Sequence, residues 1–148
     1  MAFTQGVQTI NELAADLATN TDIILNDITG FSFVLGAGKR LQWELEGVFT
    51  TGATGGFRFL ANSTSAPTTY SAEWQAVDET TPATFQDAQI AQADFTNASA
   101  VATNYLLTAK GCIVANAATT FSIQFAQNNS TANNITLRAG MVLKLWQF

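Results

Sequence analysis

Glu44 and Glu46 are the pair best spaced for acid–base chemistry. In an extended chain they share one face about 7 Å apart, at a rise of roughly 3.4 Å per residue. Glycoside hydrolysis uses carboxylates about 5–9.5 Å apart. Nothing else in the sequence raises a pKa or positions a sugar, so a solvated outer face is the better reading. Asp78, Glu79, Asp87 and Asp94 could join Asn side chains around calcium, but no fixed-spacing calcium loop is present and an acidic loop is favoured. Gly52 to Gly56 is followed by Phe57 and Arg58, not by the Lys and hydroxyl of a phosphate cradle. Cys112 is the single cysteine and the chain has no His, so an activated thiolate lacks its usual partner and a thiolate metal cluster is excluded. Cys112 reads as a packing residue. Three tryptophans could stack on sugar. Trp43 and Trp74 instead fall on apolar faces and read as core, while Trp146 lies with Lys144 and Phe148 opposite Leu143 and Leu145. The expectation is a protein that is not an enzyme, with no cofactor and no metal.

Composition narrows the classes further. The 148 residues suit one domain, with six Lys+Arg against 11 Asp+Glu. That is 11% charged, less than half of the roughly 25% usual in soluble domains. Uncharged polar residues fill the gap: Thr 21, Asn 11, Gln 10 and Ser 7. Hydrophobic residues stay at 47%, which argues against disorder. A net charge of −5 and a pI near 4.3 argue against nucleic acid as a partner. Residues 1–21 do not read as a secretory signal, and no apolar run approaches the roughly 18 residues of a membrane span. No membrane partner is expected.

The dominant period is two, which calls for strands. Leu41 to Phe49 alternates apolar or glycine positions with Gln42, Glu44 and Glu46. Phe57–Ala61, Thr69–Val77, Tyr105–Ala115, Thr119–Gln127 and Met141–Phe148 repeat the scheme, with shorter runs at Asp22–Ile28 and Phe31–Leu35. Asn116-Ala117-Ala118 reads as a tight hairpin, and Tyr105–Phe148 as a meander of three or four strands. Such runs and turn-rich separators predict an all-β antiparallel sandwich or barrel. Two segments break the pattern. Val7, Ile10, Leu13 and Leu17 have helix-like spacing, compatible with a helical turn or two or with an arm lying on a partner. Residues 78–103 hold four acids and no base, read as a long connection with a helix-compatible centre.

Thr119 to Asn128, then Ile135 to Leu145, resembles the C-terminal end of a family of small tailed-phage virion proteins. Those end in a similar F/L-x-F-A-Q-N and T-x-L-x-A-G pattern. Gly111 to Asn116 and Asp27 to Phe33 resemble two further strands of that family, so the likeness spans about residues 22–148. Met141 stands where the family often has a small residue. The resemblance implies an antiparallel β-sandwich of the jelly-roll type seen in tumour necrosis factor and C1q heads, over residues 22–148. Residues 1–21 lie outside it and are read separately as an N-terminal arm.

It also implies a role. Members are capsid cement (decoration) proteins or heads of tail fibres, and jelly rolls of this type form homotrimers with the last strand near the axis. On that likeness Leu143, Leu145, Trp146 and Phe148 are the expected trimer contact. Outside the resemblance, the arm itself is expected to reach a neighbouring capsid subunit, with Phe3, Val7, Ile10 and Leu13 as its contact residues. The partners are then the chain itself and a major capsid protein, and the location is the capsid surface of a virion. A receptor- or glycan-binding head is the alternative, with Tyr70, Phe85 and Phe95 as its only loop aromatics.

Overall fold

The structure is a computed structural model that describes residues 6–19, 23–52, 56–81, 83–97, 104–129 and 134–148. Among these residues the chain forms strands and no helix. In order they are β1 (Val7–Glu12), β2 (Leu17–Thr19), β3 (Asn26–Leu35), β4 (Arg40–Thr50), β5 (Phe57–Ser63) and β6 (Thr69–Asp78). Then come β7 (Thr84–Gln89), β8 (Phe95–Asn97), β9 (Asn104–Val114), β10 (Thr119–Ala126), β11 (Ile135–Leu137) and β12 (Val142–Gln147).

Two antiparallel sheets face each other. The larger runs β1-β12-β4-β9-β6-β7, with β11 and β2 attached at one end; the smaller runs β3-β10-β5-β8. Without the short β2 and β11 and the β6–β7 pair, eight strands remain, and their pairing is nested. The first pairs with the last (β1–β12), the second with the seventh (β3–β10), the third with the sixth (β4–β9) and the fourth with the fifth (β5–β8). That is a long hairpin wrapped across two sheets, the jelly roll. The β6–β7 hairpin is inserted between the fourth and fifth strands and pairs with β9, widening the large sheet.

The core is aromatic. Phe49 lies 5.1 Å from Phe57, 5.0 Å from Phe59 and 5.1 Å from Tyr105, and Trp43 lies 5.5 Å from Trp74. Tilted, edge and stacked contacts of this kind add about 0.5–1.5 kcal/mol per pair beyond burial. The alternation expected of Leu41–Phe49 is realised in β4, with Leu41, Trp43, Leu45 and Phe49 buried.

Four expectations are corrected. The two short runs around Gly30 are one strand, β3. The β3–β10 register shifts there, and Gly30 at φ +84° makes a bulge that lets Ile28 and Phe31, three residues apart, both face inward. Residues 115–118 are not a hairpin and the C-terminal region is not a meander, because β9 belongs to the large sheet and β10 to the small one. The long connection carries two strands among its described residues. Its helix-compatible centre is β7, paired with β6, and Phe95–Asn97 pairs with β5. The arm is not separate over its described part. β1 pairs along β12, β2 pairs with β11, and Leu13 belongs to the core at 8% exposure. An edge strand satisfies the open backbone groups of β12, which a helix there would leave unpaired.

Candidate functional site

The outer face of the large sheet gathers most of the chemistry-bearing side chains, and the strand register sets them in rows. One row crosses the strands as Lys144, Glu44, Lys110 and Glu73. The next in one direction is Val142, Glu46, Thr108 and Gln75; in the other it is Trp146, Gln42, Cys112 and Ser71. Adjacent strands are about 4.8 Å apart and same-face neighbours along a strand about 7 Å apart, so the face is a lattice of polar groups at fixed spacing. Lys144 donates to Glu46 at 2.8 Å and Lys110 lies 3.0 Å from Glu73. The Glu46 hydrogen bond and charge raise the Lys144 pKa above its ordinary value. These pairs are exposed, so their net worth is small and falls with salt.

This face is concave. A trough of about 560 Å³ lies over β4, β9, β6 and β7, with Glu44, Glu73, Gln75, Gln86 and Lys110 in its lining. A second hollow of about 430 Å³ shares Glu44, Glu73 and Lys110 and continues to Gln42, Trp146 and Phe148. Trp146 is half-buried, and its indole makes no hydrogen bond or ring contact among the described residues. Phe148 closes the end, with the Arg40 guanidinium 5.3 Å from its ring centroid.

The other carboxylates do structural work. Asp78 ends β6 by accepting hydrogen bonds from Thr80 and Thr81, at 2.8 Å to the Thr80 N–H and 2.9 Å to the Thr81 hydroxyl. Burial pushes its carboxyl up, but these bonds outweigh it and hold the pKa below the usual range. Glu79 accepts from Asn104 at 2.6 Å, Asp87 from Gln89 at 2.8 Å, and Asp94 pairs with Arg58. The four acids weighed as calcium ligands are thus engaged separately, and among the described residues no group of three His, Cys, Asp or Glu side chains is placed to hold a metal. Asp16 clamps the N-terminal segment: it accepts from Arg138 at 2.7 Å and from the Ala139 N–H at 2.8 Å.

The expected contact residues part company. Leu143 and Leu145 are 0% and 1% exposed in the chain's own core, so they have no surface for another copy. Strand alternation puts Trp146 on the opposite face, in the hollow that continues the trough, and Phe148 is 40% exposed at its end. Ile10 is 59% exposed on β1, whereas Leu13 is core. Phe3 and the Val7 side chain lie outside the described residues. Of the loop aromatics, Tyr70 and Phe95 are buried, and Phe85 packs on Phe57 and Tyr105. Cys112 is half-buried on the outer face beside Gln42, not in the core. Sequence reasoning found Glu44, Glu46 and Trp146 but missed Lys110, Glu73 and Gln75 as their neighbours. The alternation already placed each outward, but which strands lie side by side is a property of the wrap.

No family model matches the chain, and no curated protein matches it. Among solved structures it is similar to the infectious bursal disease virus VP2 subviral particle, at 11% identity and a TM-score of 0.26, over 99% of this chain and 41% of that one. It is similar also to the infectious bursal disease virus Gx strain, at 11% identity and a TM-score of 0.20, over 99% of this chain and 42% of that one. The chain thus spans about two fifths of the length of those proteins. So loose a superposition carries no argument about role, and the jelly-roll assignment rests on the strand order itself.

Proposed function

We propose that the chain is a structural virion protein, a phage capsid cement protein that binds the outside of the shell as a homotrimer and stabilises it. The carrying observation is where the residues of the phage resemblance fall. Thr119–Ala126 is β10 and Val142–Gln147 is β12, the seventh and eighth jelly-roll strands, one in each sheet. The pattern therefore follows the wrap of the fold and not one local hairpin. The scarcity of charge also supports assembly, since interface cores are depleted in charged residues.

The copies would meet along the β1 side of the large sheet, where Ile10 and Phe148 expose apolar surface. This replaces a contact through Leu143 and Leu145. Stabilisation follows from mass action: a partner that binds only the assembled shell lowers its free energy by RT ln(1+[L]/Kd), and three footprints on one trimer add avidity. The Glu46 carboxylate is given to a solvated ion pair with Lys144, and the Asp78 carboxylate to turn formation. The test is to add purified protein to expanded capsids that lack it and count bound copies by electron microscopy. Occupancy of a fixed set of surface sites in threes is expected; absence of binding would contradict the reading.

A further inference from the structure

We propose that the trough on the outer face of the large sheet binds a neutral oligosaccharide. Three observations converge on that ligand. The first is Trp146. Its indole lines the hollow that continues the trough past Glu44, Glu73 and Lys110, with no ring or hydrogen-bond partner among the described residues, next to Phe148. An unstacked indole offers a flat apolar face and a polar N–H, which suit the C–H face and the hydroxyls of a pyranose ring.

The second is the floor. Gln42, Glu44, Glu73, Gln75 and Lys110 present amide, carboxylate and ammonium groups in adjoining rows. Donors and acceptors therefore recur every 5–7 Å or so. Sugar hydroxyls both donate and accept, and carboxylates and amides can engage neighbouring hydroxyls in pairs. From the Trp146 row to the Val142 row is four residues, or about 14 Å, enough for a short run of sugar rings.

The third is charge. Lys110 is paired with Glu73, and Lys144 with Glu46. A cationic peptide would have to displace those lysines, and an anionic ligand would meet Glu44, Glu46 and Glu73. A neutral polyhydroxyl chain needs neither rearrangement. β4 and β9 each have paired neighbours on both sides, so the groups are held before the ligand arrives. The inference does not rest on the cement reading: the two share Phe148, at the end of the hollow and on the β1 side, while Trp146 and the polar floor enter the sugar site alone.

The test is calorimetric titration of the intact protein with cellohexaose, xylohexaose and mannohexaose, with amide NMR shifts to locate binding. At least one sugar should bind with a submillimolar Kd and shift residues 42, 73, 110 and 146. Trp146→Ala should weaken it at least tenfold and Glu73→Gln severalfold, whereas Val34→Ser on the other sheet should leave it unchanged. No heat with any of the three sugars overturns the proposal, as does binding that Trp146→Ala leaves intact. Loss of self-association in Trp146→Ala without sugar binding would make the trough an interface between copies and would equally overturn it. Capsid binding by the unaltered protein is measured separately, so the two readings fail independently.

Discussion

Gly111 on β9 lies directly against Trp43 on β4: a Cβ added at Gly111 would come within 2.6 Å of the indole ring and would also strike the Ser71 carbonyl. The two residues are register partners at the centre of the large sheet, and the missing side chain is what lets the indole lie flat over the strand. Gly111→Ala should therefore overpack the core and cost about 1–3 kcal/mol. Urea unfolding should show a lower midpoint at unchanged slope. An unchanged midpoint would mean that the indole has room to move.

The two faces of β12 should separate cleanly. Leu143→Ala removes a side chain that is 0% exposed and should cost about 2–5 kcal/mol of folding stability. Ile10→Lys and Phe148→Ser should leave the melting temperature nearly unchanged but reduce the sedimenting mass from trimer to monomer. If those two variants keep the parent mass, the copies do not meet along the β1 side.

The N-terminal segment should behave as part of the fold. Leu13→Ala should cost about 2–4 kcal/mol, since its side chain lies in the core. Asp16→Ala removes the clamp on Arg138 and Ala139 and should speed amide exchange across residues 7–12. Exchange as slow as in the parent would show that the β1–β12 ladder holds without the clamp.

Acid should destabilise through Asp16 and Asp78. The Ala139 N–H and then Arg138 lower the Asp16 pKa, and for Asp78 the Thr80 and Thr81 bonds overcome burial. A carboxyl with a lowered folded pKa contributes stability that is full above its unfolded value, near 3.8, and lost as pH falls through the folded value. Melting temperature should be flat from about pH 7 to 5 and fall below about pH 4. Asp78→Asn should shallow that fall; an identical acid limb in the variant would remove Asp78 from the account.

The legible parts of the fold were those in which one strand face is buried and the other solvated. The Leu41–Phe49 alternation predicts β4, and the apolar placement of Trp43 and Trp74 predicts the core. β1 was hidden because its pairing with β12 is made by backbone, while its outward face mixes apolar with polar side chains: Gln8, Ile10 and Glu12 all point to solvent. β7 was hidden for a related reason. It is an edge strand on which Asp87, turned to the same side as buried Trp74, remains exposed. The turn at residues 115–118 carries ordinary hairpin chemistry, and nothing local distinguishes a hairpin from a step between sheets. The trough was illegible for the same reason. Each of its residues reads as an outward polar side chain, and only the order β12-β4-β9-β6 brings them into one lattice.

The most direct test of the cement reading is the melting of the shell itself. Expanded capsids lacking the protein should be heated in a calorimeter with and without saturating added protein. The account predicts that the capsid transition moves to higher temperature as the surface sites fill, and moves back when Ile10→Lys weakens the trimer. Saturated binding with no change in the capsid transition would contradict it.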